Sequence, residues 1–195
     1  MIDTLLEAGI QAFCTLYHWD LPQALQDKGG WENRDTAQAF ADYDAFTTRH
    51  LSDKVQHFMT FNEMRTFVEL GYGNGTHAPG LQLNAKRLAQ LNHYVVLAHG
   101  MAVRAIRHEA LPGTRIGIAD NMKATVPVFE SKQHIEAAHT ATREVNAMFL
   151  TVIQEGRYTE LYLKSLGANA PNFNAEEMSI ISRNFLNNDK IPSKG

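Results

Sequence analysis

The chain has 195 residues, 44% of them hydrophobic and 20% charged, with a net charge of -3 and one cysteine. That suffices for one core of ordinary size and is too apolar for disorder. It excludes a disulfide scaffold, since Cys14 has no partner, and a membrane span, since no apolar run reaches the ~18 residues crossing needs; with 18 basic against 21 acidic residues, nucleic acid is not an expected partner.

Met1 is followed by Ile2-Asp3 with no basic leader, so a cytoplasmic location is expected. Met1 to Ala8 reads as the last turns of a helix, with Ile2, Leu5 and Leu6 as its apolar patch and Gly9 as its stop. Ile10 to Trp19 is rich in β-branched and aromatic residues and reads as a buried strand. Leu21-Pro22 and Gly29-Gly30 mark a long loop. Asp35 can cap a helix to about His50, with Phe40, Tyr43 and Phe46 on one face. Val55 to Asn62 is a second strand, followed by a glycine-rich loop from Gly71 to Gly80.

Asn84 can cap the next helix, which sets Leu88, Leu91, Val95, Ala98, Ala102 and Ile106 on one side until Leu111-Pro112-Gly113 ends it. Arg115 to Asn121 is a third strand. Ser131 to Glu155 reads as a helix with Ile135, Ala138, Val145, Phe149 and Val152 facing inward, closed by Gly156. Glu176 to Ser182 is a short helix, and Asn184-Phe185-Leu186 begins a fourth strand.

This alternation predicts the α/β class, with parallel strands joined by right-handed crossovers. Pattern alone leaves an open doubly wound sheet and a (β/α)8 barrel both open. A barrel needs eight units and usually ~250 residues, so a barrel reading makes this chain part of one.

In either architecture ligands meet the carboxyl ends of the strands. Those ends carry Tyr17-His18-Trp19-Asp20, Thr60-Phe61-Asn62-Glu63 and Asp120-Asn121. A carboxyl, an amide, an imidazole and an indole on one rim suit a sugar. The planar groups pair with hydroxyls, the aromatic covers the apolar ring face, and the carboxyl moves a proton. The plain alternative is that His18 and Trp19 merely satisfy each other at a strand end.

Other tempting features read as structural. The glycine run 71–75 lacks the Lys-Ser/Thr of a phosphate loop. His134 and His139 are five apart and do not share a helix face, so no metal is expected, and no cofactor. His93, His99 and His108 read as surface or helix-packing residues. Cys14 reads as a small hydrophobe. Asp42 and Asp44 read as a solvated helix face, as do Arg104 and Arg107. The Asn74-Gly75-Thr76 sequon has no secretory context to use it.

The stretches TLYHWDLPQALQDKGGW (15–31) and TFNE (60–63) resemble glycoside hydrolase family 1, the β-glucosidase family. The resemblance continues through GYGNGTHAPG and LNHYVVLAHGMAVRAIR to PGTRIGIADN, in family order. It implies a partial (β/α)8 barrel, roughly strands three to five of eight, acting on a β-glucoside or related oligosaccharide. It implies that Glu63 is the general acid/base of a retaining mechanism and that Asn62 holds the sugar 2-hydroxyl. It also implies that His18 and Trp19 line the glycone subsite; Asn121 would reach the aglycone side.

The departures are equally specific. The family's two first strands, its nucleophile motif and its tryptophan-rich late loop have no counterpart here. Met64 stands where the family usually has proline, and the tail 184–195 fits poorly. A sheet cut from a barrel leaves strand edges open, which predicts self-association. Two other readings stay open: a non-catalytic remnant with partial sugar binding, and an unrelated α/β hydrolase or interaction module.

Overall fold

The computed structural model describes residues 1–186. Three parallel strands form one sheet in the order β1 (Phe13–Tyr17), β2 (His57–Asn62), β3 (Arg115–Ala119). Phe13 aligns with His57 and His57 with Arg115, so the three carboxyl ends rise to one rim. The register slips between Met59 and Asn62. Thr60 and Phe61 are both fully buried there, although strict alternation would separate them.

Helix α1 spans Ile2–Glu7, and a single turn, α2, spans Gln23–Gln26. The connection from β1 to β2 is carried by α3 (Asp35–Leu51), and that from β2 to β3 by α5 (Ala85–Glu109). These two long helices pack on each other and on one face of the sheet. Asn84 caps α5 as the sequence predicts, accepting from the Arg87 amide at 3.0 Å. Leu91, Val95, Ala98, Ala102 and Ile106 are all buried. The side chain of Asp35 caps nothing; instead Asn33 Oδ1 accepts from the Asp35 amide. Above the sheet, Trp31 is the hub of an aromatic cluster with Tyr17, Phe40, Phe61 and Phe67, their ring centroids 4.5–6.1 Å apart.

Several expectations need correction. The first strand is shorter than Ile10–Trp19, because Trp19 takes a left-handed backbone (φ 77) that ends the extended run. Tyr43 and Phe46 are 49% and 61% exposed; only Phe40 of that trio reaches the core. Asp44 is the reverse case. It is fully buried, because it lies on the face of α3 that Phe40 and Thr48 share, not on the solvated face of Asp42.

The predicted helix 131–155 is three pieces: α6 (Lys132–Val145), a π-helical turn Ala147–Thr151, and α7 (Val152–Glu155). The break is at Asn146, whose amide turns aside to bond the carbonyls of Lys123 and Thr142. Ile135 is 39% exposed rather than inward. Three short helices went unforeseen: α2, within the expected loop, α4 (Met64–Val68) and α8 (Glu160–Leu166). Residues 184–186 do not start a strand. They end α9 (Ala175–Leu186), which packs on α5 and α7. The rest of the tail, 187–195, lies outside the described residues.

Among the described residues no helix is long and apolar enough to cross a membrane.

Candidate functional site

The site is built where β1 and β2 end. Tyr17, the last residue of β1, points into the core and donates from its hydroxyl to the carbonyl of Trp19 at 3.0 Å. Trp31 donates to that same hydroxyl from Nε1 at 3.1 Å. The buried aromatic cluster therefore pins the turn that carries Trp19. With its backbone fixed in the left-handed region, Trp19 sends its indole N–H across to the carbonyl of Asn62 at 3.0 Å. Asn62 in turn donates from Nδ2 to His18 Nε2 at 3.3 Å. The rings of His18 and Trp19 meet edge to face at 5.2 Å. Thus His18, Trp19 and Asn62 come together, and their polar groups bond through Asn62 rather than to each other. Such local strain is held where surrounding structure over-determines it.

Glu63 follows directly. Its amide donates to the carbonyl of Ala119 at 2.6 Å, which extends the β2–β3 ladder by one residue. Its backbone is also left-handed (φ 46), and α4 starts at the next residue. This abrupt strand-to-helix reversal leaves the Glu63 side chain half-buried at the rim. Glu63 Oε2 accepts from the Thr66 hydroxyl at 3.0 Å, and Thr66 Oγ1 accepts from Asn121 Nδ2 at 2.9 Å. Met64, in place of the proline, is fully buried beneath.

The third strand contributes Asp120 and Asn121. Burial pushes the Asp120 carboxyl above its ordinary value; the Asn121 and Met64 amides and the Arg65 guanidinium act against this, and the charge of Glu63 adds to it. Its Oδ1 is buried with no hydrogen-bond partner. Arg65 itself spans from α4 to the carbonyl of Val145 at 2.8 Å, locking α4 to the end of α6.

A cleft on the outer side of Trp19 is lined by Tyr17, Gln26, Phe67, Tyr72 and Pro79. His77 of the glycine-rich loop lies against Trp19 with ring centroids 5.4 Å apart. Sequence reading missed Thr66 and Arg65. The signal for Thr66 was present: three residues after Glu63 at a helix start, its hydroxyl can reach back to the carboxylate.

The sequence model of glycosyl hydrolase family 1 matches residues 1–188. The chain belongs to glycosyl hydrolase family 1. Among its family-1 relatives, β-glucosidase A of Acetivibrio thermocellus is 40% identical over 164 residues, which is 84% of this chain and 36% of that protein. A β-glucosidase of an Agrobacterium species is 36% identical over 183 residues, 94% of this chain and 39% of that one. Solved family-1 structures agree. The virulence factor SghA of Agrobacterium tumefaciens superposes with a TM-score of 0.79 at 36% identity, covering 93% of this chain and 40% of its own. A rice β-glucosidase gives 0.82 at 32% identity, covering 94% and 41%. These neighbours are (β/α)8 barrels, and the chain spans about two-fifths of their length.

Proposed function

We propose that this chain is the acid/base-bearing part of a retaining β-glucosidase, roughly strands three to five of its eight-stranded barrel. The observation that carries the reading is the placement of Glu63. Its carboxyl stands at the carboxyl end of a parallel strand, hydrogen-bonded to Thr66, and the residue before it is Asn62, which bonds the Trp19 indole and the His18 imidazole. That is the chemistry a glycoside needs on one side of its scissile bond.

The mechanism then divides between this chain and the rest of the barrel. A carboxylate outside this chain attacks the anomeric carbon. The glycosidic C–O bond breaks, and the proton of Glu63 passes to the departing oxygen. In the second step Glu63 takes a proton from water as the water displaces the enzyme carboxylate from the sugar. Asn62 holds the 2-hydroxyl, where hydrogen bonds strengthen in the oxocarbenium-like transition state. His18 and Trp19 line the glycone subsite, and Asn121 faces the aglycone side. Two descriptions of relatives fit this division. SghA has been seen with salicin, described as its substrate analogue, and a rice β-glucosidase variant has been seen in a covalent complex with Glc.

The test is hydrolysis of aryl β-glucosides. This chain by itself is expected to leave them intact, because a general acid without a nucleophile cannot form the glycosyl-enzyme. Joined to the complementary strands of a family-1 relative, it is expected to turn them over with retention at the anomeric carbon. Glu63→Gln in the joined protein is expected to lower kcat/KM about 10²–10⁴-fold for substrates with poor leaving groups. Turnover by the isolated chain, or a Glu63→Gln variant with undiminished kcat/KM on substrates with poor leaving groups, would refute the assignment. Sugar binding without turnover in the joined protein would favour a non-catalytic remnant.

A further inference from the structure

We propose that Thr66 and Asn121 are positioning residues for Glu63, a two-bond relay that decides which carboxyl oxygen handles the proton. The proposal rests on the acid/base reading above. Three facts carry it. Asn121 can only donate from Nδ2, and it donates to Thr66 Oγ1 at 2.9 Å. A hydroxyl has one proton, and with its oxygen already accepting, that proton goes to Glu63 Oε2 at 3.0 Å. The relay joins two pieces of chain: Glu63 and Thr66 lie together at the turn from β2 into α4, and Asn121 follows β3, the neighbouring strand. Its geometry is therefore set by the sheet and not by one flexible loop.

The consequence concerns the two oxygens. Oε2 is held as an acceptor and cannot carry a proton toward Thr66 without displacing the hydroxyl's own. The proton that Glu63 gives to the leaving oxygen, and later takes from water, therefore sits on Oε1. Thr66 supplies the donor, and Asn121 fixes the rotation of that donor. This moves Asn121 from a direct aglycone contact to a residue that acts through Thr66. The charged groups facing the relay are Asp120, next to Asn121, and Arg65, next to Thr66; their charges act on one another and that of Glu63 acts on Asp120.

The relay can be read without catalysis. In the isotopically labelled chain, the Asn121 side-chain amide signals are expected to move with pH in step with the Glu63 carboxyl carbon. Thr66→Val should uncouple them and Thr66→Ser should restore the coupling. Glu63→Gln should abolish the Asn121 movement, whereas Asp120→Asn should leave it. An Asn121 signal that never follows Glu63, or that still follows it in Thr66→Val, overturns the relay.

The second readout uses the barrel completed as above. Thr66→Val is expected to lower kcat/KM about tenfold for a methyl glucoside, which needs acid help, and to spare a dinitrophenyl glucoside, which does not. Equal losses on both substrates would mark Thr66 as merely structural and overturn the proposal. If Glu63→Gln shows no such dependence on leaving group, the acid/base reading fails, whatever the amide signals report about the relay.

Discussion

Asp44 offers the sharpest test of the packing. It is fully buried on α3, and neither carboxyl oxygen has a hydrogen-bond partner. Burial pushes its pKa from 3.8 to about 9. An acid with a raised folded pKa takes up a proton on folding over the whole interval between the two values. Stability is thus full below pH 4 and is lost as pH rises toward 9. By pH 7 the native state has held this proton over three pH units of unfavourable uptake, at about 1.4 kcal/mol each, for a total of about 4 kcal/mol. That is a large share of the 5–15 kcal/mol that keeps an average domain folded, roughly speaking.

Two histidines oppose it. Burial holds His99 down to about 4, and His93 is lowered for the same reason. Their stabilisation is lost as pH falls below the ordinary histidine range, so between pH 4 and 6.5 they offset Asp44. Above pH 6.5 the two histidines no longer offset Asp44.

Asp44→Asn removes the titration and nearly keeps the shape. It is expected to raise stability by about 4 kcal/mol at pH 7 and by little at pH 4. The assay is urea unfolding followed by tryptophan fluorescence, Trp31 being the fully buried reporter. From pH 6.5 to 8 the wild-type chain is expected to lose about 2 kcal/mol and the variant none. A wild-type midpoint that does not move over that range, or a variant that falls in parallel with it, would refute the reasoning.

Gly71→Ala sets a Cβ 2.6 Å from the backbone oxygen of Ala78, in the loop that holds His77 on Trp19. It is expected to cost about 1–3 kcal/mol by the same urea assay. Gly73→Ala, whose Cβ meets nothing nearer than 3.7 Å, should stay within about 0.5 kcal/mol; equal effects would contradict the loop geometry. Among the described residues, strands β1 and β3 each pair on one side only, and Phe13, Val126, Val128 and Phe129 are 57–83% exposed. Sedimentation is therefore expected to show concentration-dependent association at about 10–100 μM, and a lone 21.9 kDa species throughout would count against it.

Legibility followed the range of the interaction. The long helix α5 was readable because its cap and its apolar spacing are local and agree. The rim residues were readable because a strand end is a local event and because YHWDLP and TFNE are distinctive strings. Asp44 was misread because helical spacing says which residues share a face and not which face meets the sheet. The helix break at Asn146 was missed because its cause is the Lys123 backbone, 23 residues away. Residues 184–186 were misread as the start of a strand because Asn-Phe-Leu is a short apolar string with no period to distinguish strand from helix.

Sequence by itself determined the class, the three strands and the two long helices between them, the family resemblance and the identity of the rim residues. All of these rest on period, punctuation and short motifs, which a linear string carries. Only the tertiary structure decided how those residues are held. Trp19 is fixed by Tyr17 and Trp31, and Glu63 by Ala119, Thr66 and, through Thr66, Asn121. Tyr17 and Thr66 are near in sequence, but Trp31, Ala119 and Asn121 come from other elements, up to 58 positions distant. No local rule brings in those distant partners, because parallel strands are brought side by side only after the helices between them have packed.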